Sequence, residues 1–308
     1  MCIKERNASD STCKKLLRDK GCFADLCNYA FFQERQVIQP EELVSRENDL
    51  STLIGKVDKP TEIKRYRDVV RKASIHGDYV IIGVEHQRTF DEKMIFRILN
   101  YDATIYINQV ESKQEIYPIG SFVFYTGDKE WKSPETLKET LKNIPPEMEP
   151  YINDWRLPVV ELKTMDARKL TNQRLKEVVE ISQSMFAGNY DNLRNNRKIE
   201  IENFMMAGTF THTNIRREDL PEGDEINMCE AMDRLFQRFE NQGMEKGKII
   251  GFEKGKSDTL KEQLKVKLGT LSRPLEKQLT NTSLEKLNEL TLNIFNVTNE
   301  EDVLKIIN

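Results

Sequence analysis

The residues best placed to do chemistry are Asp68, Glu85 and Gln87. Glu85 and Gln87 lie two apart at the end of YVIIGVEHQ (79–87), so on an extended strand their side chains share one face while His86 points to the other. A carboxylate closing so apolar a run is costly to bury unless a cation or a donor compensates it. Asp68 opens the segment DVVRKA (68–73), and HGD (76–78) between the two segments has turn chemistry. If the segments pair as antiparallel neighbours, Asp68 and Glu85 approach each other. Two close carboxylates repel unless a hard cation sits between them, and Mg²⁺ suits, since it takes one or two carboxylates plus waters and phosphate oxygens. The backbone carbonyl of His86, not its imidazole, would face such an ion. The ion would polarise a phosphate ester and acidify a bound water. Gln87 can orient that water but cannot take its proton. Acidic residues at strand ends are common, however, and the D…ExQ spacing alone favours solvent-exposed strand termini over a catalytic site.

These residues need elements to hold them. Residues 12–34 read as a helix pair or one broken helix, with Phe23, Leu26, Cys27, Ala30 and Phe31 on one face and Gly21 breaking or starting it. Residues 37–42 read as a turn or short edge strand. Residues 68–73 and 79–85 read as two strands joined by a tight turn, the second apolar on both faces as in a central buried strand. Thr89 to Glu92 form a capping-box pattern that predicts a helix from there to near Val110. That helix carries Arg97 and Tyr101 one turn apart. Either they reach a substrate phosphate, which a guanidinium forks well, or Arg97 pairs with a carboxylate and Tyr101 packs in the core. A strand at 116–126, a helix from Ser133 stopped by Pro145 and Pro146, a strand at 157–162 and a helix over 165–186 follow. This order predicts an α/β or α+β fold with a mixed sheet flanked by helices.

The 308 residues allow one large domain or two ordinary ones. The chain turns polar and acidic near residue 210, so the expected division is a first domain over 1–215, then an acidic linker and repeat over 216–258, then a small helical interaction module over 259–308. The repeat is GMEKGK from Gly243 and GFEKGK from Gly251. Glycine every fourth residue puts all four on one side of a helix at about 1 kcal/mol each relative to alanine; a flexible tether and a helix packed on a partner are equally compatible. Net charge is −4, so nucleic-acid binding would need a local basic surface. Two stretches offer one: 64–67 (KRYR) with Arg71 and Lys72, and 243–277, though each by itself reads more readily as a solvated face. The five cysteines form no CxxC pair and His76, His86 and His212 are scattered, which argues against zinc. No apolar run approaches membrane-spanning length and the N-terminus lacks a signal-peptide core. The expected location is the cytoplasm, away from any membrane.

Several motifs occur in a telling order: FADLCNYAFFQERQVIQPEEL (23–43), RYRDVVRK (65–72), YVIIGVEHQRTFDEKMIFRILNYDATIY (79–106), FVFYTGDKEW (122–131), EINMCEAM (225–232) and the glycine repeat. This series, over roughly 12–256, resembles the YhgA-like putative transposases, also called recombination-promoting nucleases. The resemblance implies a restriction-endonuclease-like PD-(D/E)XK fold, DNA as substrate and Mg²⁺ as cofactor. It makes Asp68 and Glu85 the motif acids and puts Gln87 where the wider superfamily has lysine, with Arg67 in place of the motif proline. Asp25, on the first helical segment, matches an acidic position that often completes the metal site. The implied activity is a metal-dependent DNA endonuclease that promotes recombination. Two alternatives stay open: a catalytically degenerate nuclease fold that binds DNA or protein, and a transposase that joins strands as well as cutting them. A second copy through the C-terminal helical region is the expected oligomer contact.

Overall fold

The computed structural model describes residues 3–33, 35–44, 68–113, 115–213 and 215–307. The basic stretch 64–67 lies outside the described residues. The chain divides into two compact units, 1–232 and 233–308.

The first unit is mixed α/β. Helices α1 (Ile3–Arg18) and α2 (Lys20–Phe32) are separated at Asp19, not at Gly21. The Asp19 carboxylate accepts from the Cys22 N–H at 2.8 Å and so caps α2. Strands β1 (Val69–Ile75) and β2 (Asp78–Gln87) form an antiparallel hairpin whose turn places His76 and Gly77 at φ 54° and 94°. Helix α3 (Met94–Glu111) crosses over to β3 (Ile119–Tyr125), which lies parallel to β2, and β4 (Val159–Glu161) lies parallel to β3. The sheet order is β1-β2-β3-β4.

Helix α3 starts later than Thr89 because Asp91 bonds the Lys93 N–H at 2.9 Å and holds that stretch in a turn. The helix expected from Ser133 is a single turn, α4 (Leu137–Thr140), capped by Thr136 and Glu139, since residue 136 bridges to residue 156 in extended form. Helix α5 (Gln173–Phe186) begins at an Asn172 cap rather than at 165. It packs with α6 (Ile201–Thr211).

The pleat divides the sheet's two faces. Ile82, Val84, Phe122 and Phe124 face α1, α2 and α5, burying Leu16, Phe23, Leu26, Val178 and Val179. Val123 and Tyr125 face α3 and pack with Ile95, Ile98, Tyr101 and Trp131. Strand β2 is buried at its C-terminal end, and its last three residues are polar. That end is where the site forms.

The division between the units falls later than the expected boundary at 215. Strands β5 (Lys198–Glu200) and β6 (Glu225–Asn227) pair antiparallel, which ties residues 225–227 to the first unit. The glycine repeat is helical and lies on α7 (Met228–Leu268). A Cβ added at Gly243, Gly247, Gly251 or Gly255 would meet nothing within 4 Å. In the second unit, α8 (Arg273–Thr280), α9 (Leu284–Asn293) and α10 (Glu300–Ile307) close a core of Leu260, Leu264, Leu275, Leu279, Leu290 and Val303. No described helix is long and apolar enough to cross a membrane.

Candidate active site

Asp68 immediately precedes β1. The β1–β2 register pairs Val69 with Val84, so its next step sets Asp68 opposite Glu85. The Asp68 side chain is held by two contacts: Oδ2 accepts the His86 backbone N–H at 3.0 Å, and Oδ1 lies 3.1 Å from Lys14 Nζ. The N–H and C=O of one strand residue project to the same side. The His86 carbonyl therefore opens toward Asp68, whereas the Gln87 carbonyl points the other way and accepts the Thr126 N–H at 2.8 Å.

Glu85 and Gln87 share the α3 face and are both buried. Gln87 Nε2 donates to Glu85 Oε1 at 3.1 Å, and Arg97 Nη2 donates to the same oxygen at 2.9 Å. Arg97 also donates to Asp91 Oδ2 at 2.9 Å and to the Tyr101 hydroxyl at 3.3 Å. Burial works against its charge, but the hydrogen bonds to Tyr101 and Asp91 and the charge of Glu85 outweigh it and push the guanidinium pKa further up. Arg97 and Tyr101 thus adopt the arrangement in which the arginine pairs with carboxylates and the tyrosine packs in the core.

The His86 ring is fully buried on the opposite face. Its Nδ1 lies 2.9 Å from Asp10 Oδ1 and its Nε2 lies 2.8 Å from Thr126 Oγ1. Both ring nitrogens are engaged, so the imidazole is a strut between α1 and the end of β3. Beside it, burial raises the Cys13 thiol pKa well above its ordinary value, and Asp68 and Asp10 push it the same way. That thiol is inert.

Asp25 makes a separate set of contacts. It is buried, and its carboxylate accepts the backbone N–H groups of Thr171 and Asn172, both at 2.9 Å, and the Thr171 hydroxyl at 3.0 Å. These are different partners from those of Asp68 and Glu85. Asp25 pins the loop that starts α5. Among the described residues, no group of three or more His, Cys, Asp or Glu is placed to hold a metal ion. Asp68 and Glu85 lie at this end of the β1–β2 hairpin, and Asp78 lies at its turn.

Residues 61–204 match the family model described as "Putative transposase, YhgA-like". That segment is similar to the YhgA-like putative transposases. No curated protein and no solved structure matches the chain. The family segment contains Asp68, Glu85, Gln87, Arg97 and Thr126, but α1, which supplies Asp10 and Lys14, lies outside it. Asp10, Lys14, Asp91 and Thr126 were not legible as site residues. The signal for the first two was their spacing of one helical turn, which is common on any helix.

Proposed function

We propose that the first unit is a metal-dependent DNA endonuclease, hydrolysing phosphodiester bonds with Mg²⁺. The observation that carries the reading is the placement of Asp68 and Glu85 at the same end of the β1–β2 hairpin, inside a segment similar to a putative transposase family. The donors fit the ion. Two carboxylates and the His86 carbonyl are hard oxygen ligands, and Mg²⁺ is bound by one or two carboxylates with waters completing its shell. When bound, the ion polarises the scissile phosphate and acidifies a water.

The chain's own residues do the rest. The His86 N–H fixes the Asp68 carboxylate, and Gln87 and Arg97 fix Glu85. The Gln87 amide can orient the attacking water. It holds no proton-accepting nitrogen, so the proton leaves to a hydroxide or a further water. DNA is the substrate this reading requires. Cutting both strands with one site per chain takes two copies, and we assign that contact to the C-terminal helices.

A second reading is a degenerate nuclease fold that binds DNA or protein without cutting. The ion pairs Lys14–Asp68 and Arg97–Glu85 favour it, because both acids already have cationic partners. Supercoiled plasmid with Mg²⁺ or EDTA separates the two. Nicked or linear product that needs both the cation and Asp68, lost in Asp68→Asn and Glu85→Gln, supports hydrolysis. Cleavage unchanged in Asp68→Asn, or no cleavage by the wild type, removes it. Joined products would extend the reading to strand transfer.

A further inference from the structure

Helix α3 has two faces of different character. Its inner face closes on the sheet: Met94, Ile95, Ile98 and Ile105 are buried. The two charges inside the helix are used there, Arg97 on Glu85 and Asp102 on the Ser121 hydroxyl. Its outer face is built from Phe96, Asn100, Ala103, Ile107 and Val110. Phe96, Ile107 and Val110 are 44%, 56% and 59% exposed. The outer face of a surface helix is ordinarily charged, yet this one carries no charge from Phe96 to Val110. The spacing is also that of a helix–helix seam. Phe96, Ala103 and Val110 recur every seventh residue, with Asn100 and Ile107 between them in four-three alternation. Apolar residues gathered on an open face mark a contact surface. Charges return only at the two ends, and they differ in sign: exposed Lys93 precedes the helix and exposed Glu111 closes it.

We propose that α3 pairs antiparallel with α3 of a second copy, about a two-fold axis beside Ala103. The seam's self-complementarity names the occupant. Antiparallel packing about Ala103 puts the smallest side chain of the seam where the helices come closest, and it sets Phe96 level with the partner's Val110. At about 100° and 1.5 Å per residue, Lys93 and the partner's Glu111 fall on the same side of the seam, about 3 Å apart along it. Asn100 likewise falls beside the partner's Thr104, so the amide of the seam keeps a hydrogen-bonding group opposite it. A parallel pair would instead stack lysine on lysine and glutamate on glutamate. The contact is isologous and closes at two copies. It lies in the first unit and depends neither on the nuclease reading nor on the contact assigned to the C-terminal helices.

The test uses the full chain with Cys2→Ser and Cys229→Ser, the other three cysteines being buried. Under mild oxidation Ala103→Cys should give a disulfide-linked dimer, because Cα atoms beside the axis of two close helices fall within the roughly 4.4–6.8 Å that a disulfide spans. Phe96→Cys alone should not link, its two copies being about 21 Å apart along the seam, but it should link when mixed with Val110→Cys. In the Ala103→Cys chain, Glu111→Lys should raise the concentration that gives half cross-linking by up to about thirty-fold, since two exposed ion pairs are lost per dimer. Adding Lys93→Glu should restore it. No link through Ala103→Cys, a Phe96→Cys that links to itself but not to Val110→Cys, or a Glu111→Lys effect that Lys93→Glu does not reverse overturns the proposal. The nuclease reading stands or falls separately, on plasmid cleavage.

Discussion

Replacing Asp25 tests whether it is a strut or a ligand. In the structure its carboxylate accepts two backbone N–H groups at 2.9 Å and a hydroxyl at 3.0 Å while only 3% exposed. Asp25→Ala removes the hydrogen bonds from the two N–H groups, the Thr171 hydroxyl and the Gln36 amide, and leaves two N–H groups facing a void. Each such bond is worth about 1.5–3 kcal/mol, and the stranded donors keep their desolvation cost. The expected loss is about 3–5 kcal/mol, a large part of the roughly 5–15 kcal/mol that holds a domain folded. Asp25→Asn should lose less, since both N–H groups meet the same oxygen and an amide oxygen there can still accept them. The assay is urea unfolding followed by tryptophan fluorescence. Both tryptophans, Trp131 and Trp155, lie in the first unit, so the signal isolates it. Mg²⁺ uptake measured on the folded Asp25→Asn protein should match the wild type. Near-native stability with lost Mg²⁺ uptake would refute the reasoning and place Asp25 in the ligand set.

Three other outcomes follow from the same geometry. His86→Ala should cost about 2–4 kcal/mol, because it empties a buried ring site and strands the Thr126 hydroxyl; Mg²⁺ uptake should persist, since the backbone carbonyl remains, and its loss in a folded variant would make the imidazole the ligand. In the second unit, the Ser272 hydroxyl and N–H lower the Glu300 pKa, so that carboxylate stabilises the fold above its unfolded value and stops doing so as pH falls through the folded one. Helical content against urea should therefore show Glu300→Gln less stable than wild type at neutral pH, with the difference vanishing once acid protonates the folded-state carboxyl; a gap that persists in strong acid would contradict this. Gly247→Ala and Gly251→Ala meet open space on α7 and should each stabilise that helix by about 1 kcal/mol, whereas loss of stability together with a change in light-scattering mass would show that a second copy packs there.

Much of the fold is written in local pattern. The apolar run of β2, the HGD turn and the helical periodicities set the elements, because pleat and helix repeat are properties of neighbouring residues. The turn geometry at His76 and Gly77 and the shared face of Glu85 and Gln87 emerge as the pattern requires. Element starts were less legible: Asp91 and Thr136 compete with the nominal caps by bonding nearby backbone, which delays α3 and shortens α4.

What only the tertiary structure decided is which charged groups meet. Asp25, Asp68 and Glu85 were similar acids in the sequence. One is now a loop pin beneath α5, one a strand-entry carboxylate shared by a backbone N–H and a lysine, and one a buried acid clamped by an arginine. Asp10 and Lys14 reach His86 and Asp68 across more than fifty residues of chain. No local rule encodes such pairings, since electrostatic partners are chosen by distance in space, and that distance exists only after the core of α1, α2 and the sheet has packed.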